Sequence, residues 1–380
     1  MTDSVEKSIE KRYSKKEIND IGKEIKNDNT SENNLKIITK WRSSHYHPLS
    51  MISGRCRKIA IKIDKKARVV QRLKRFTSIE YKLKNTHYDV WEIQDIGGCR
   101  IIVNDVDAVY KFKTAFSGGR SKNKIIYVDD YIGKDPYEST KGPKKSGYRG
   151  IHMICEYHSD KNENYNGMKI EIQIRTKLQH VWATTIETWD QITNQNLKSG
   201  KGDEEISRFF ILASSLFCIL ENCKLVPNTP PLKEEILKEM KKIDEKHKII
   251  QTLEKHKAKS KKYPNNKSNN LPYILSLNKT IKNYSDQITN YMTSIESGST
   301  KEILHKYDDI EIKEHMNYLK FKDTDEEYIT SFLNSYKKYA TINNVLTFGD
   351  TNYLKETYPN YYLDTREFVK IVKTQMDSIT

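Results

Sequence analysis

The chain has 380 residues, of which 36% are hydrophobic and 31% charged. That length suits two domains and leaves enough apolar residues for packed cores. No apolar run approaches the ~20 residues that a membrane span needs, and the polar opening MTDSVEKSIEKRYSKK lacks a secretory h-region. Cys56, Cys99, Cys155, Cys218 and Cys223 form no paired pattern. They read as buried reduced thiols, which points to the cytoplasm, and without a long apolar run no membrane partner is expected.

Net charge is +15, and it is unevenly spread. Residues 51–150 hold 23 basic against 11 acidic side chains, whereas residues 231–380 hold 25 against 22. From Arg55 to Lys84 there are twelve basic residues and only Asp64 and Glu80 as acids. A general lysine bias would spread along the chain. A local excess implies a positive field for a polyphosphate or a nucleic acid.

In chain order, residues 1–48 form a polar helical extension whose end is placed near His47-Pro48. His45 and His47 make an H-x-H without a third ligand nearby, and read as a surface pair. A basic helical stretch is expected over 49–74. Four strands follow: GCRIIV (98–103), KIIYVDDYI (124–132), YRGIHMICEYH (148–158) and MKIEIQIRT (168–176). A Gly-, Pro- and Lys-rich loop, including the basic run from Lys134 to Lys145, separates the second and third. Helices are expected at about 177–197 and 202–222. The prolines of LVPNTPPLKEE mark a boundary. A long charged helix over 232–262 leads to the polar linker 259–272. Short strands (YILSL, IEIKEH, NNVLTF) and helices near 325–340 and 364–376 complete the chain. The implied domains are a helical extension 1–48, a main α/β domain 49–225, a helix and linker 226–272, and a smaller α/β region 273–380.

Five segments carry candidate chemistry. In Glu171-Ile172-Gln173-Ile174-Arg175, strand alternation sends Ile170, Ile172 and Ile174 to the core and Glu171, Gln173 and Arg175 to the other face. One polar face is common in half-buried strands. An acid, an amide and a guanidinium in line can still hold a metal, orient a hydroxyl and bind a phosphate. Asp95-Ile96-Gly97-Gly98-Cys99-Arg100 places a carboxylate at a strand entrance beside two glycines that let a ligand approach the backbone. Lys144-Lys145-Ser146-Gly147-Tyr148-Arg149-Gly150-Ile151-His152 suits a phosphate-cradling loop with an aromatic able to stack on a base. Arg72, Lys74, Ser78 and Lys82 form a second phosphate-competent set. His180, Thr184 and Glu187 share one helical face.

In order and spacing, R-x-K-x3-S-I-x2-K-L, D-I-x-G-x-R, G-Y-R-x-I-H, E-x-Q-I-R-T and H-x-W-A-x3-E resemble the motif series of the RelA/SpoT nucleotide synthetases. The resemblance covers roughly residues 50–225. It implies a nucleotidyltransferase-like mixed sheet flanked by helices, an α/β (α+β) fold. It also implies transfer of the β,γ-pyrophosphate of ATP to a 3′-hydroxyl with Mg²⁺ as cofactor. Carried over residue by residue, Arg72 and Arg100 would sandwich the adenine, and Lys74, Ser78 and Lys82 would hold the ATP phosphates. Asp95 and Glu171 would be the metal-binding and catalytic carboxylates. Lys144, Lys145, Tyr148, Arg149, His152, Gln173 and Arg175 would line the acceptor side, with His180 and Glu187 in support. The expected acceptor is GDP or GTP, giving (p)ppGpp. The alternatives are the 3′ CCA end of tRNA, as in the toxic small synthetases, and a catalytically inactive nucleotide- or RNA-binding regulator. Residues 232–380 are the candidate contact for an antitoxin or other regulatory partner.

Overall fold

The computed structural model describes residues 13–260 and 365–379, apart from residues 30, 75, 119–120, 134–140, 196, 198–199 and 201. The strands expected at YILSL, IEIKEH and NNVLTF, the linker core 261–272 and the helix near 325–340 lie outside the described residues.

Three helices open the described chain: α1 (Lys15–Lys26), α2 (Glu32–Ser44) and α3 (Tyr46–Ile63). Ser14 and Ser31 cap the first two by accepting from the backbone N–H of Glu17 and Asn34. Pro48 does not end a helix, as its sequence position suggests. It sits in the first turn of α3, where its missing N–H has no intrahelical partner to lose. The helix expected over 49–74 also stops early, at Ile63. The Asp64 carboxylate accepts from the backbone N–H of Lys66 (2.8 Å) and Asn104 (2.9 Å) and from the Asn104 side-chain amide (3.0 Å). Strand β1 (Arg68–Leu73) then begins, helped by the adjacent β-branched Val69 and Val70.

The remaining elements are α4 (Phe76–Asn85), β2 (Gly97–Val103), α5 (Val106–Ser117), β3 (Lys124–Asp130), β4 (Ile151–Glu156) and β5 (Lys169–Thr176). Helices α6 (Lys177–Thr193), α7 (Glu204–Leu220), α8 (Lys233–His247), α9 (Ile249–Ser260) and α10 (Arg366–Asp377) follow. The expected single helix over 232–262 is broken at Lys248, whose φ of 51° is left-handed. The five strands form one mixed sheet in the order β1-β2-β5-β4-β3, with β2 and β5 parallel and the other pairs antiparallel.

Helices α3 and α5 cover one sheet face. Leu49, Ile52, Cys56 and Ala60 of α3 and Val109, Phe112 and Phe116 of α5 pack with Cys99, Ile101, Met153, Ile170, Ile172 and Ile174. Gly97 lies on this face, and a Cβ there would stand 2.6 Å from Ile170, so its glycine serves packing. A second cluster joins α1 and α2 to α4 through Ile18, Ile21, Leu35, Ile38, Trp41, Phe76, Ile79 and Leu83. The N-terminal helices therefore support α4 directly. His45 and His47, read as a surface pair, are packing residues. His45 is buried with Nδ1 3.0 Å from the Trp41 carbonyl oxygen, and burial pulls its pKa down to about 4. His47 stacks on Tyr165 with centroids 4.6 Å apart. All five cysteines are free thiols, and all but Cys223 are buried.

The third cluster unites α6, α7, α8 and α9 with α10. Phe368 of α10 meets Phe210 and Phe217 of α7 at centroid distances of 5.8 and 5.9 Å. The Thr365 hydroxyl donates to the Leu253 carbonyl (3.3 Å), and Lys373 pairs with Glu254 (2.9 Å). Residues 365–379 are thus part of the same core as α6 and α7. Phe368→Ala should lower unfolding free energy by ~3–5 kcal/mol, the usual cost of emptying a buried phenylalanine site. Urea denaturation reads this directly, and an unchanged midpoint would contradict the packing of α10 on α7.

Candidate active site

The sheet face away from α3 and α5 carries the polar residues. Pairing sets Arg72 opposite Gly98 and Gly98 opposite Glu171; one step along, Arg100, Gln173, His152 and Asp129 form a continuous cross-strand row. Ile102 pairs with Arg175 on the next step. Cross-strand partners share a face, so segments far apart in sequence present Arg72, Arg100, Glu171, Gln173, Arg175 and His152 to one side. Only the Arg72 carbonyl oxygen, at 3.9 Å, lies within 4 Å of where a Gly98 Cβ would be, so this glycine leaves open space beside Glu171 and Arg72.

At the β1 end, the Asp95 carboxylate is held between Lys74 Nζ (2.6 Å) and Lys82 Nζ (3.3 Å). Burial pushes the Asp95 carboxyl up, but the two ammonium groups outweigh it and hold it below its ordinary value. Three elements meet here. Lys74 follows β1 and its N–H donates to the Ile96 carbonyl (2.7 Å); Lys82 lies on α4; Asp95 precedes β2. Ser78 is in the first turn of α4, where unsatisfied N–H groups favour an anion. No motif in the sequence marks Arg42. It is 2% exposed, and its Nε donates to the Lys74 carbonyl oxygen at 2.6 Å, fixing the backbone that aims Lys74.

At the β4–β5 centre, five side chains close a hydrogen-bonded ring. Glu171 Oε1 lies 2.9 Å from His152 Nδ1, and Glu171 Oε2 accepts from Gln173 Nε2 at 2.8 Å. Arg175 Nη2 donates to Gln173 Oε1 (3.2 Å) and to the Tyr148 hydroxyl oxygen (2.9 Å). The Tyr148 hydroxyl closes the ring on His152 Nε2. Tyr131, which sequence reading left as an ordinary strand residue, stands edge-on to both Tyr148 and His152, with centroids 5.9 and 5.7 Å away. Its hydroxyl donates to Asp129 at 2.6 Å. Lys144 Nζ lies 4.1 Å from the Tyr131 ring centroid and 5.5 Å from that of Tyr148. Lys145 is exposed beside it.

The loop carrying these lysines is pinned from behind. Gly147 has φ +89°, and a Cβ there would come within 2.7 Å of Trp182 on α6. Ser214 Oγ of α7 donates to the Gly147 carbonyl oxygen at 2.6 Å. Arg149 parts from the other acceptor-side candidates. It is 2% exposed and pairs with Glu221 at 2.6 Å, while Glu221 also accepts from Thr176 Oγ1 and from Gln179 Nε2 (3.3 Å). This joins the end of α7 to the start of α6. His180 is buried on α6, its carbonyl accepting from Thr184 Oγ1 at 2.9 Å, and Glu187 is half-buried one turn beyond.

The ring sets the charge of its members. Burial pushes the His152 imidazole down, but the Tyr148 hydroxyl and Glu171 carboxylate outweigh it and raise its pKa to about 9. Glu171 moves the opposite way: burial and the nearby Asp95 charge raise it, and His152 and Gln173 bring it below its ordinary value. At neutral pH the pair is imidazolium and carboxylate. Among the described residues no group of three or more His, Cys, Asp or Glu side chains is placed to hold a metal ion. Asp95 and Glu171 are instead two separate carboxylates close enough to raise the pKa of Glu171 through their charges.

Residues 71–191 match the family model described as the region found in RelA / SpoT proteins. Over 119 residues the chain is 31% identical to the GTP pyrophosphokinase YwaC of Bacillus subtilis, covering 30% of this chain and 52% of that protein. Over 150 residues it is 25% identical to the GTP pyrophosphokinase YjbM of the same organism, covering 40% and 60%. The chain therefore spans between about half and three-fifths of the length of these curated relatives. Among solved structures it is similar to the small alarmone synthetase 1 of B. subtilis bound to its product pppGpp (26% identity, TM-score 0.34, 40% of this chain and 74% of that one). It is also similar to a GTP pyrophosphokinase family protein from Streptococcus pneumoniae (23% identity, TM-score 0.37, 55% and 92%). Residues 71–191 are thus similar to the region found in RelA / SpoT proteins, and they run from within β1 to α6, across all five strands of the sheet.

The raised His152 pKa has a sign that titration can read. A group with a folded pKa above its unfolded value contributes stability that is fully present below the unfolded value and lost as pH rises through the folded one. In the metal-free protein the His152 imidazole should titrate near 9, and Glu171→Gln should bring it back toward 6.5. NMR of the ring nitrogens checks this. Titration near 6.5 in the unsubstituted protein would contradict the ring.

Proposed function

We propose that the protein transfers the β,γ-pyrophosphate of ATP to the 3′-hydroxyl of GDP or GTP. The observation that carries this reading is the split of the polar sheet face into two charged halves. Asp95 with Lys74 and Lys82 lies at one end, and Glu171 within its ring lies at the centre. Transfer of this kind depends on positioning and charge neutralisation more than on covalent help from the protein.

In this reading Lys74, Lys82 and the first turn of α4 at Ser78 bind the ATP phosphates, and Arg72 and Arg100 flank the adenine. Tyr148 offers its ring to the acceptor base. Lys144, Lys145 and Arg175 face the acceptor phosphates, and His152 and Gln173 orient Glu171. Arg149, tied to Glu221, contributes by holding the Tyr148 segment. Glu171, ionised and held at both oxygens, takes the proton of the 3′-hydroxyl. The acceptor oxygen forms a bond to the β-phosphorus of ATP, the bond from that phosphorus to the α-phosphate oxygen breaks, and AMP leaves with that oxygen. The donor set fits Mg²⁺, a hard ion that takes one or two carboxylates and keeps several waters. Asp95 and Glu171 would hold it. When bound, it neutralises the charge that builds on the phosphate oxygens.

Asp95→Ala and Glu171→Ala should each lower transfer of label from ATP by ~10²–10³, the usual cost of an oriented electrostatic group, with circular dichroism unchanged. Removal of divalent ions by EDTA should abolish transfer. Acceptor choice is read by offering GDP, GTP and deacylated tRNA in parallel. Label in the guanine nucleotides is the expected result. Label in tRNA alone would replace the acceptor, and no transfer to any of them would favour a non-catalytic binding role.

A further inference from the structure

We propose that the outer face of α3 and the turn after it bind the phosphate backbone of a nucleic acid, on the side of the sheet opposite the candidate active site. The proposal rests on neither the reaction nor the acceptor proposed above. Helix α3 carries Arg55, Arg57, Lys58 and Lys62 and no acidic residue. Other lysine-rich helices carry acids as well: α1 has four lysines with three acids, α8 five with five, and α9 three with one. A general lysine bias yields helices like α1 and α8. Helix α3 is different.

The structure shows which of these charges are available. Arg55 is committed to α5, with Nη2 donating to the Phe116 carbonyl oxygen (2.8 Å) and the guanidinium 4.2 Å from the Phe116 ring centroid. Arg57, Lys58 and Lys62 are exposed, and Lys65 and Lys66 extend the exposed set into the turn before β1. Among the described residues none of these five makes a side-chain ion pair or hydrogen bond. The sole carboxylate between residues 46 and 79, Asp64, is buried and consumed by Lys66 N–H and Asn104. The surface therefore presents five cations on a rigid helix and turn with no local carboxylate to neutralise them.

A nucleic-acid duplex carries one negative charge per ~1.7 Å of its axis, so a stretch the length of this surface offers more phosphates than the five cations need. A lipid surface fits less well. A helix lying in a membrane interface must present an apolar face, and that of α3 (Leu49, Ile52, Cys56, Ala60) is buried against the sheet, leaving Met51 and Ile61 as its exposed large hydrophobics. RNA and DNA share the phosphate chemistry, and the test separates them.

Labelled RNA and DNA duplexes of roughly 20 base pairs and the same sequence, titrated by fluorescence anisotropy from about 50 to about 200 mM salt, should show binding with a log–log slope of about −4.5, since each of the five phosphate contacts contributes about −0.9. The full-length Lys58→Glu, Lys62→Glu, Lys65→Glu, Lys66→Glu variant should lose affinity by about tenfold or more and flatten the slope from about −4.5, the sum over five contacts, toward about −0.9, the one left by Arg57. Should the reversals impair folding, the same four positions changed to Gln serve instead. A control with the same charge change elsewhere (Lys238→Glu, Lys242→Glu, Lys255→Glu, Lys370→Glu, all exposed) should keep its slope. Binding of RNA, of DNA or of both with this pattern supports the surface and names its source. Absence of duplex binding at low salt, equal loss in both variants, or capture by anionic phospholipid vesicles without duplex binding would overturn it.

Discussion

Strand β5 lies at the middle of the sheet, and its two-residue period is the constraint on which the site depends. Ile170, Ile172 and Ile174 are fully buried against α3 and α5, so the strand cannot slip by one residue without exposing all three and burying an acid, an amide and a guanidinium in their place. That burial sends Glu171, Gln173 and Arg175 to the opposite face. Parallel pairing with β2 then brings Arg100 beside Gln173, and antiparallel pairing with β4 brings His152 to the other side of Gln173. The hydrophobic effect on one face thus orders the electrostatics of the other.

The two charged halves are secured differently. At the β1 end, loop and helix residues converge on Asp95, and Arg42 anchors the Lys74 backbone from the N-terminal helices. In the centre, the ring of Glu171, His152, Tyr148, Arg175 and Gln173 satisfies both carboxylate oxygens of a largely buried acid, which would otherwise cost several kcal/mol to keep ionised. Helices α6 and α7 brace the loop before Tyr148 through Trp182 and Ser214, and α10 is packed into the core those helices share. The end of the described chain therefore supports the same loop that carries the proposed acceptor-side residues.

Much of this was legible in the sequence where a short-range pattern sets it. Alternation located β5 and the face of Glu171, and the glycines and cations of the Lys144–His152 segment pointed to the loop beside it. What was missed depends on long-range contact. Arg42 gains its place only because a helix from a distant segment lies behind Lys74. Tyr131 resembles any other strand aromatic until β3 and β4 pair. Arg149 looks like a phosphate ligand next to Tyr148, but its backbone turns it toward Glu221, more than seventy residues later. Strand β1 resembles a continuation of the basic helix because basic residues continue through it, while Asp64 and the two valines, the local signals for a break, are weaker than the charge pattern. Pro48 illustrates the same limit, since one proline both ends helices and opens them.

The central claim, that the two charged halves move a pyrophosphate as one unit, is tested most directly by the nucleotide left behind. With ATP labelled in its γ-phosphate and GTP as acceptor, the account predicts AMP formed in equal amount with labelled acceptor. Formation of ADP instead would mean that the bond broken lies between the β- and γ-phosphates, and would contradict it.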